Sequence, residues 1–217
     1  MSVRIKICGI TRYEDAKTAE SLGVDALGFV FYQKSPRYIR PEDAALIIRQ
    51  LPPFVSCVGV FVDEEIDRVV TIARATGIDT IQLHGSESPL YCSKIPLPVI
   101  KAFSIEPATD LSLLEQYRVA ALLLDTWSAG RCGGTGKKFD WSIARSACIK
   151  YDRVILAGGL NPTNLEEALE TVQPYGIDIS SGVEIKPGIK NPRKMRDAVQ
   201  VVRTWERGEK GPQTFKV

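Results

Sequence analysis

A chain of 217 residues with 44% hydrophobic and 25% charged residues is long enough for one sizeable core and lies far from the composition of a disordered protein. Its 28 basic and 26 acidic residues leave a net charge of only +2, too weak a field to imply a nucleic acid or a membrane surface as partner. Single-domain chemistry on a small molecule is the expectation that remains.

The N-terminus passes straight into a strand pattern, with no secretory or transit segment ahead of it and no apolar run of membrane-spanning length behind it. Cys8, Cys57, Cys92, Cys132 and Cys148 form an odd set without a C-x-x-C pair, which argues against a disulfide framework or a thiolate metal site. A reducing, cytoplasmic setting follows. Along the chain, strand-like runs at 3–8, 26–30, 55–62, 80–83, 99–103, 120–125, 154–157 and 177–180 alternate with stretches of helical period. Thr11 and Glu14 are spaced as a capping box. Apolar residues fall at i, i+3, i+4 and i+7 in Ile66, Val69, Val70 and Ala73, in Leu165, Ala168, Leu169 and Val172, and in Met195, Ala198, Val199 and Val202. Asn161-Pro162 and Asn191-Pro192 each place a capping side chain before a proline, predicting two helix starts.

Eight βα units predict a (β/α)8 barrel, a single TIM barrel over residues 1–205, with 206–217 as a polar, aperiodic tail. A doubly wound sheet is the alternative, but the first strand-to-helix turn, Cys8-Gly9-Ile10-Thr11, lacks G-x-G-x-x-G. Inside a barrel, alternate strand residues point inward, so polar residues of one parity locate the mouth. Four strands carry such pairs: Lys6 with Cys8, Gln82 with His84, Lys101 with Phe103, and Asp178 with Ser180, while Asp125 closes the sixth. A buried lysine or carboxylate must be paired or solvated, which a ligand-receiving mouth satisfies. The seventh turn, Ala157-Gly158-Gly159-Leu160, and the eighth, Ser180-Ser181-Gly182-Val183, stand where many barrels bind phosphate, and a phosphate site is expected there. The long sixth loop, with Gly130, Gly133, Gly134 and Gly136 directly after Asp125, suits a lid.

With these residues assembled, the chain resembles the phosphoribosylanthranilate isomerase family of tryptophan biosynthesis from end to end. The resemblance rests on Lys6-Ile7-Cys8-Gly9-Ile10-Thr11, Gly28-Phe29-Val30-Phe31, Ser35-Pro36-Arg37-Tyr38-Ile39, Val58-Gly59-Val60-Phe61-Val62 and Gln82-Leu83-His84-Gly85. It continues through Leu124-Asp125, Gly133-Gly134-Thr135-Gly136-Lys137, Phe139-Asp140-Trp141, Gly158-Gly159-Leu160-Asn161-Pro162 and Asp178-Ile179-Ser180-Ser181-Gly182-Val183-Glu184.

The resemblance implies a barrel of the ribulose-phosphate-binding type and a cofactor-free Amadori rearrangement, with Cys8 as general base and Asp125 as general acid. It further implies that Arg37 pairs with the anthranilate carboxylate, as suits a bidentate guanidinium. Gln82, His84, Gly134, Gly136, Gly158, Gly159, Asp178, Ser180, Ser181 and Gly182 are the remaining expected substrate-binding residues. His84 is the single histidine, so no histidine-cluster zinc site can form, and neither metal nor cofactor is expected. The chemistry asks for a Cys8 thiol that has a lowered pKa or is activated by bound substrate, and for an Asp125 whose carboxyl is raised, giving a bell-shaped pH–rate profile. Cys57, Cys92, Cys132 and Cys148 carry no motif. Another phosphosugar barrel would want metal-ligating histidines or an aspartate ending strand one, and a silent phosphate-binding module would not need Cys8, Asp125 and Arg37 together. The expected partner is a phosphorylated small molecule, with the chain a monomer or a homodimer.

Overall fold

The computed structural model describes residues 2–105, 110–125 and 141–208. The expectations for the lid, including Gly130, Cys132, Gly133, Gly134 and Gly136, and for the tail beyond 208 lie outside the described residues.

Eight parallel strands close into a barrel in chain order: β1 Arg4–Cys8, β2 Ala26–Val30, β3 Ser56–Phe61, β4 Thr80–Leu83, β5 Val99–Ser104, β6 Ala121–Asp125, β7 Val154–Ala157 and β8 Gly176–Ile179. No end differs by more than one residue from the sequence pattern. The connections carry α1 Tyr13–Ser21, α2 Pro41–Ile48, α3 Ile66–Thr76, α4 Pro89–Ser93, a 3-10 helix at Leu111–Gln116, α5 Ser142–Lys150 and α6 Leu165–Val172. After β8 come a 3-10 turn at Ser181–Val183, a small hairpin of β9 Glu184–Lys186 and β10 Ile189–Lys190, and the last helix, α7 Pro192–Glu206. That helix runs one residue into the segment expected as tail, because Glu206 accepts hydrogen bonds from Arg203 and from the backbone N–H of Val3. Among the described residues no helix is long and apolar enough to cross a membrane.

Alternation along the strands divides the core in two. Val58, Ile100, Ala102, Ala121, Leu123, Ile155 and Ala157 fill the bore. Ile5, Ile7, Leu27, Phe29, Ile81, Leu83, Leu122, Leu124, Leu156, Ile177 and Ile179 form the layer between barrel and helices. The helical stripes complete that layer: Leu165, Ala168, Leu169 and Val172 of α6, and Met195, Ala198, Val199 and Val202 of α7, are all buried. In α3 the buried face is Val69, Ile72, Ala73 and Thr76, a stripe rotated away from Val70.

Three local expectations are corrected. Lys101 and Phe103 do not face the bore: Ile100 and Ala102 do, because Lys101 pairs in register with Leu83 and Leu122, both of the outer layer. Lys101 is satisfied there by Glu87 Oε2 at 3.0 Å and by the carbonyls of Leu83, Gly85 and Ala102. The Thr11–Glu14 capping box does not form. The N-cap of α1 is Arg12, without a side-chain bond, and the Thr11 hydroxyl instead donates to the carbonyl of Gly188 in the β9–β10 turn. Asn161-Pro162 does not start α6, which begins three residues later at Leu165. Asn161 Oδ1 accepts from the N–H and hydroxyl of Thr163, and Asn164 Oδ1 accepts from the N–H of Asn161 at 2.8 Å, making a rigid turn first. Asn191-Pro192 does start α7, with Asn191 Oδ1 accepting from the N–H groups of Arg193 and Lys194.

Candidate active site

The C-terminal ends of the strands open on a cavity of about 470 Å³ lined by Cys8, Arg37, Gln82, His84, Asp125, Gly158, Gly159, Asp178, Ser180 and Ser181, with Val30, Tyr32 and Val60 among the apolar residues around them. Strand parity puts Cys8, Gln82, Asp125 and Asp178 there, each on the inward face of its own strand. Gly182, the other glycine expected here, is not among the residues that line the cavity, and its reason is spatial. A Cβ on it would stand 1.9 Å from the carbonyl oxygen of Leu160, so glycine alone lets the seventh and eighth turns touch. Gly158 and Gly159 both have positive φ, 93° and 67°. Asn161 and Asn164 each donate to the Gly159 carbonyl at 3.1 Å, holding that turn in place. The result is two adjoining turns whose backbone an anion can approach closely.

Cys8 ends β1, and its side chain fits because β2 has a glycine beside it: a Cβ on Gly28 would lie 2.7 Å from Cys8 Sγ. Below it, Lys6 Nζ donates to Asp178 Oδ2 at 2.9 Å, joining register partners on β1 and β8, both side chains buried. Burial pushes the Cys8 thiol up, and Lys6 and Lys190 only partly offset this. Of the two ways expected to ready the thiol, a lowered pKa in the free protein is the one this environment opposes, since burial disfavours the thiolate and Lys6 and Lys190 are already engaged by Asp178 and Glu184. Activation by bound substrate is the alternative left standing.

On the opposite side, His84 Nε2 is 3.5 Å from Asp125 Oδ2, and Gln82 Nε2 is 3.0 Å from His84 Nδ1. With the Gln82 amide nitrogen turned to Nδ1, Nε2 is the ring nitrogen that faces the carboxylate. Two further acceptors, Gln82 Oε1 and Asp178 Oδ1, are buried without a donor from the protein. Both residues line the cavity, and acceptors in that state suit the hydroxyls of a sugar.

Arg37 reaches the cavity from the loop after β2. Gly9, at φ 79°, leaves the space for its stem, since a Cβ there would meet Arg37 Cδ at 2.6 Å. Its guanidinium is bidentate on Glu184, with Nε to Oε1 at 2.9 Å and Nη2 to Oε2 at 2.7 Å. Glu184 in turn is paired with Lys190. Sequence reasoning missed Lys190 altogether and had Glu184 only as the last residue of a motif. The signal for Glu184 was its place directly after the eighth turn; Lys190 offers none, being one of many lysines in a charged segment. Of the other cysteines, Cys57 and Cys92 are buried and Cys148 half-buried, with burial raising Cys57 to about 12 and Cys148 to about 11.

Comparison with known proteins bears on this arrangement. The family model described as N-(5'phosphoribosyl)anthranilate (PRA) isomerase matches residues 5–201. A relative from Citrifermentans bemidjiense, named N-(5'-phosphoribosyl)anthranilate isomerase, is 53% identical over 193 residues, which is 89% of this chain and 93% of its own. The crystal structure of phosphoribosyl anthranilate isomerase from Thermotoga maritima superposes with a TM-score of 0.87 at 43% identity, covering 93% of this chain and 98% of that one. A phosphoribosyl anthranilate isomerase solved in complex with reduced 1-(o-carboxyphenylamino)-1-deoxyribulose 5-phosphate gives a TM-score of 0.84 at 41% identity, over 93% of this chain and 98% of that one.

Proposed function

The chain belongs to the N-(5'-phosphoribosyl)anthranilate isomerase family, and from that premise we propose that it works with Cys8 as general base and Asp125 as general acid, without a cofactor. It isomerises N-(5'-phosphoribosyl)anthranilate to 1-(2-carboxyphenylamino)-1-deoxyribulose 5-phosphate, an aldose–ketose isomerisation of tryptophan biosynthesis. The observation that supports the residue roles best is that one cavity gathers a thiol, a carboxylate, an arginine and two glycine- and serine-rich turns.

In this reading the substrate phosphate sits between the Gly158-Gly159 and Ser180-Ser181-Gly182 turns, and its aryl carboxylate meets Arg37. Asp125 protonates the furanose ring oxygen, and the nitrogen lone pair drives the ring open to a protonated Schiff base. Its positive charge lies next to C2′, acidifies that C–H and favours the thiolate form of Cys8 beside it. Cys8 then removes the C2′ proton to give an enolamine. Protonation at C1′ and loss of the hydroxyl proton at C2′ complete the ketone, so that the net change is isomerisation alone. Asp178 and Gln82 accept hydrogen bonds from sugar hydroxyls, and His84 keeps Asp125 oriented.

Incubation with freshly made N-(5'-phosphoribosyl)anthranilate should extinguish the fluorescence of the anthranilate adduct, with a bell-shaped dependence of rate on pH. Binding of the adduct with no loss of fluorescence would leave a phosphate-binding module instead. The same reading has the enzyme cytoplasmic, with a phosphorylated small molecule as its ligand and neither nucleic acid nor membrane as partner. The barrel that acts as the catalytic unit runs through Glu206, the last residue of α7. The working form is a monomer or a homodimer, which sedimentation separates.

A further inference from the structure

The β9–β10 hairpin looks like an ordinary charged connector, yet two of its charged side chains are buried: Lys190 is 0% exposed and Glu184 7%. Glu184 Oε1 accepts Arg37 Nε at 2.9 Å, Lys190 Nζ at 2.8 Å and the Gly188 N–H at 3.2 Å, while Oε2 accepts Arg37 Nη2 at 2.7 Å. Lys190 Nζ donates as well to the carbonyls of Cys8, the end of β1, and of Ser180, just after β8. Its backbone N–H donates to Asp15 at 3.0 Å, which fixes the hairpin to α1. One buried lysine thus ties together the strand end bearing Cys8, the eighth turn and the carboxylate that grips Arg37.

The charge count of this cluster matters. An isolated Arg37–Glu184 pair would be neutral and would present little to an anion. Burial lowers the Lys190 pKa, but its Nζ meets three acceptors, Glu184 Oε1 and the carbonyls of Cys8 and Ser180, which use all three hydrogens of an ammonium; two cations therefore share the one carboxylate, the cluster carries a net positive charge, and Arg37 is the member that lines the cavity. The bidentate grip also fixes the guanidinium plane. It uses Nε–H and one hydrogen of Nη2, leaving three N–H donors, both of those on Nη1 among them. Without Glu184 two like charges would face each other and Arg37 would be free to turn. Without Lys190 the arginine would be neutralised by its own partner.

We propose that Glu184 and Lys190 are positioning residues that hold Arg37 as an oriented, net-positive receptor, and so set the preference of the enzyme for an aryl amine bearing a carboxylate over an uncharged one. This rests on the reading of Arg37 as the partner of the substrate carboxylate. It extends the functional site to a hairpin that touches no reacting atom.

The test is a ratio. Values of kcat/KM are measured for N-(5'-phosphoribosyl)anthranilate and for the corresponding aniline adduct, with wild type, Arg37→Ala, Glu184→Gln and Lys190→Met. Because both substrates are measured on one preparation, the fraction of folded enzyme cancels, and Glu184→Asp stands in if Glu184→Gln folds poorly. Glu184→Gln and Lys190→Met should each narrow the wild-type preference by about tenfold, through a raised KM for the carboxylated substrate, the scale of one charge-assisted hydrogen bond. If Arg37→Ala collapses the ratio while the hairpin variants lower both substrates equally, the hairpin is merely structural and the inference is overturned. If Arg37→Ala itself leaves the ratio unchanged, the reading of Arg37 falls and takes this one with it.

Discussion

At the N-terminal rim of the barrel, Asp25 and Asp79 stand near the surface and each accepts a strand N–H at 2.8 Å, from Ile5 and from Cys57, while pairing with Arg4 and Ser56 beside them. At the other end the charges are enclosed: Lys6 with Asp178, and Lys190 with Glu184, have side chains no more than 8% exposed. The two ends use the same residue types for different purposes. A rim aspartate replaces water at a strand terminus and contributes modestly, as surface pairs do. A buried pair is poor as a stabiliser, because desolvating both ions offsets most of their attraction, but it fixes geometry tightly and is damaging to break. Charges at the rim finish the fold, and charges at the mouth aim the chemistry.

The sharpest break between the ends should come from Cys8→Ala and Asp125→Asn. Each is expected to lower kcat by about a thousandfold, within the range for a lost acid or base, while the thermal unfolding midpoint stays near that of wild type. Near-normal turnover in both folded variants would remove their assigned roles. Next in size is Lys6→Met, which strands Asp178 and should reduce stability by about 3–5 kcal/mol in urea titrations. Adding Asp178→Leu should recover a large part of that loss, since an apolar pair of similar volume needs no desolvation; a double variant as weak as the single one would show that packing, not charge, was lost.

Acid sharpens the comparison further. Burial pushes the Glu184 carboxyl up, but hydrogen bonds from Arg37 and Lys190 outweigh it and hold the group below the ordinary carboxylate range. Its stabilisation is therefore complete above the unfolded value of 4.5 and is lost as the pH falls through the lower, folded one. Urea midpoints below pH 4.5 should decline more steeply in wild type than in Glu184→Gln. Parallel declines would mean that the carboxylate is not the group that titrates. The smallest effect belongs to the rim, where Asp25→Ala should reduce stability by about 1 kcal/mol and leave kcat/KM unchanged.

Much of this was legible in the residues. Short apolar runs between stretches of helical period marked all eight strands, because a barrel strand buried on both faces is such a run bounded by turns. Parity worked for Lys6 and Cys8, for Gln82 and His84, and for Asp178 and Ser180, whose polar members alternate with isoleucine or leucine. It failed at β5, where Ile100 and Ala102 on one side and Lys101 and Phe103 on the other look equally able to face inward; only the register with β4 and β6 decides. Asn161-Pro162 misled because the same asparagine geometry that caps a helix also closes a turn. Glu184 and Arg37 meet across 147 residues of sequence, so no local pattern could announce them, and Lys190 looks polar and exposed until the hairpin folds it inward.

The Lys6–Asp178 pair has one more consequence, which concerns time. It joins the first strand to the last, across 172 residues of chain, at the seam where the barrel closes. Until β1 and β8 meet, both ions are hydrated and each of those strands offers an open edge to other chains. Closing the seam removes the edges and strips the water in one event. Loop-closure entropy opposes so long-range a contact until the barrel closes and other contacts repay it. The pair beneath Cys8 therefore belongs to the closed barrel alone, and an open sheet of the same eight strands would lack it.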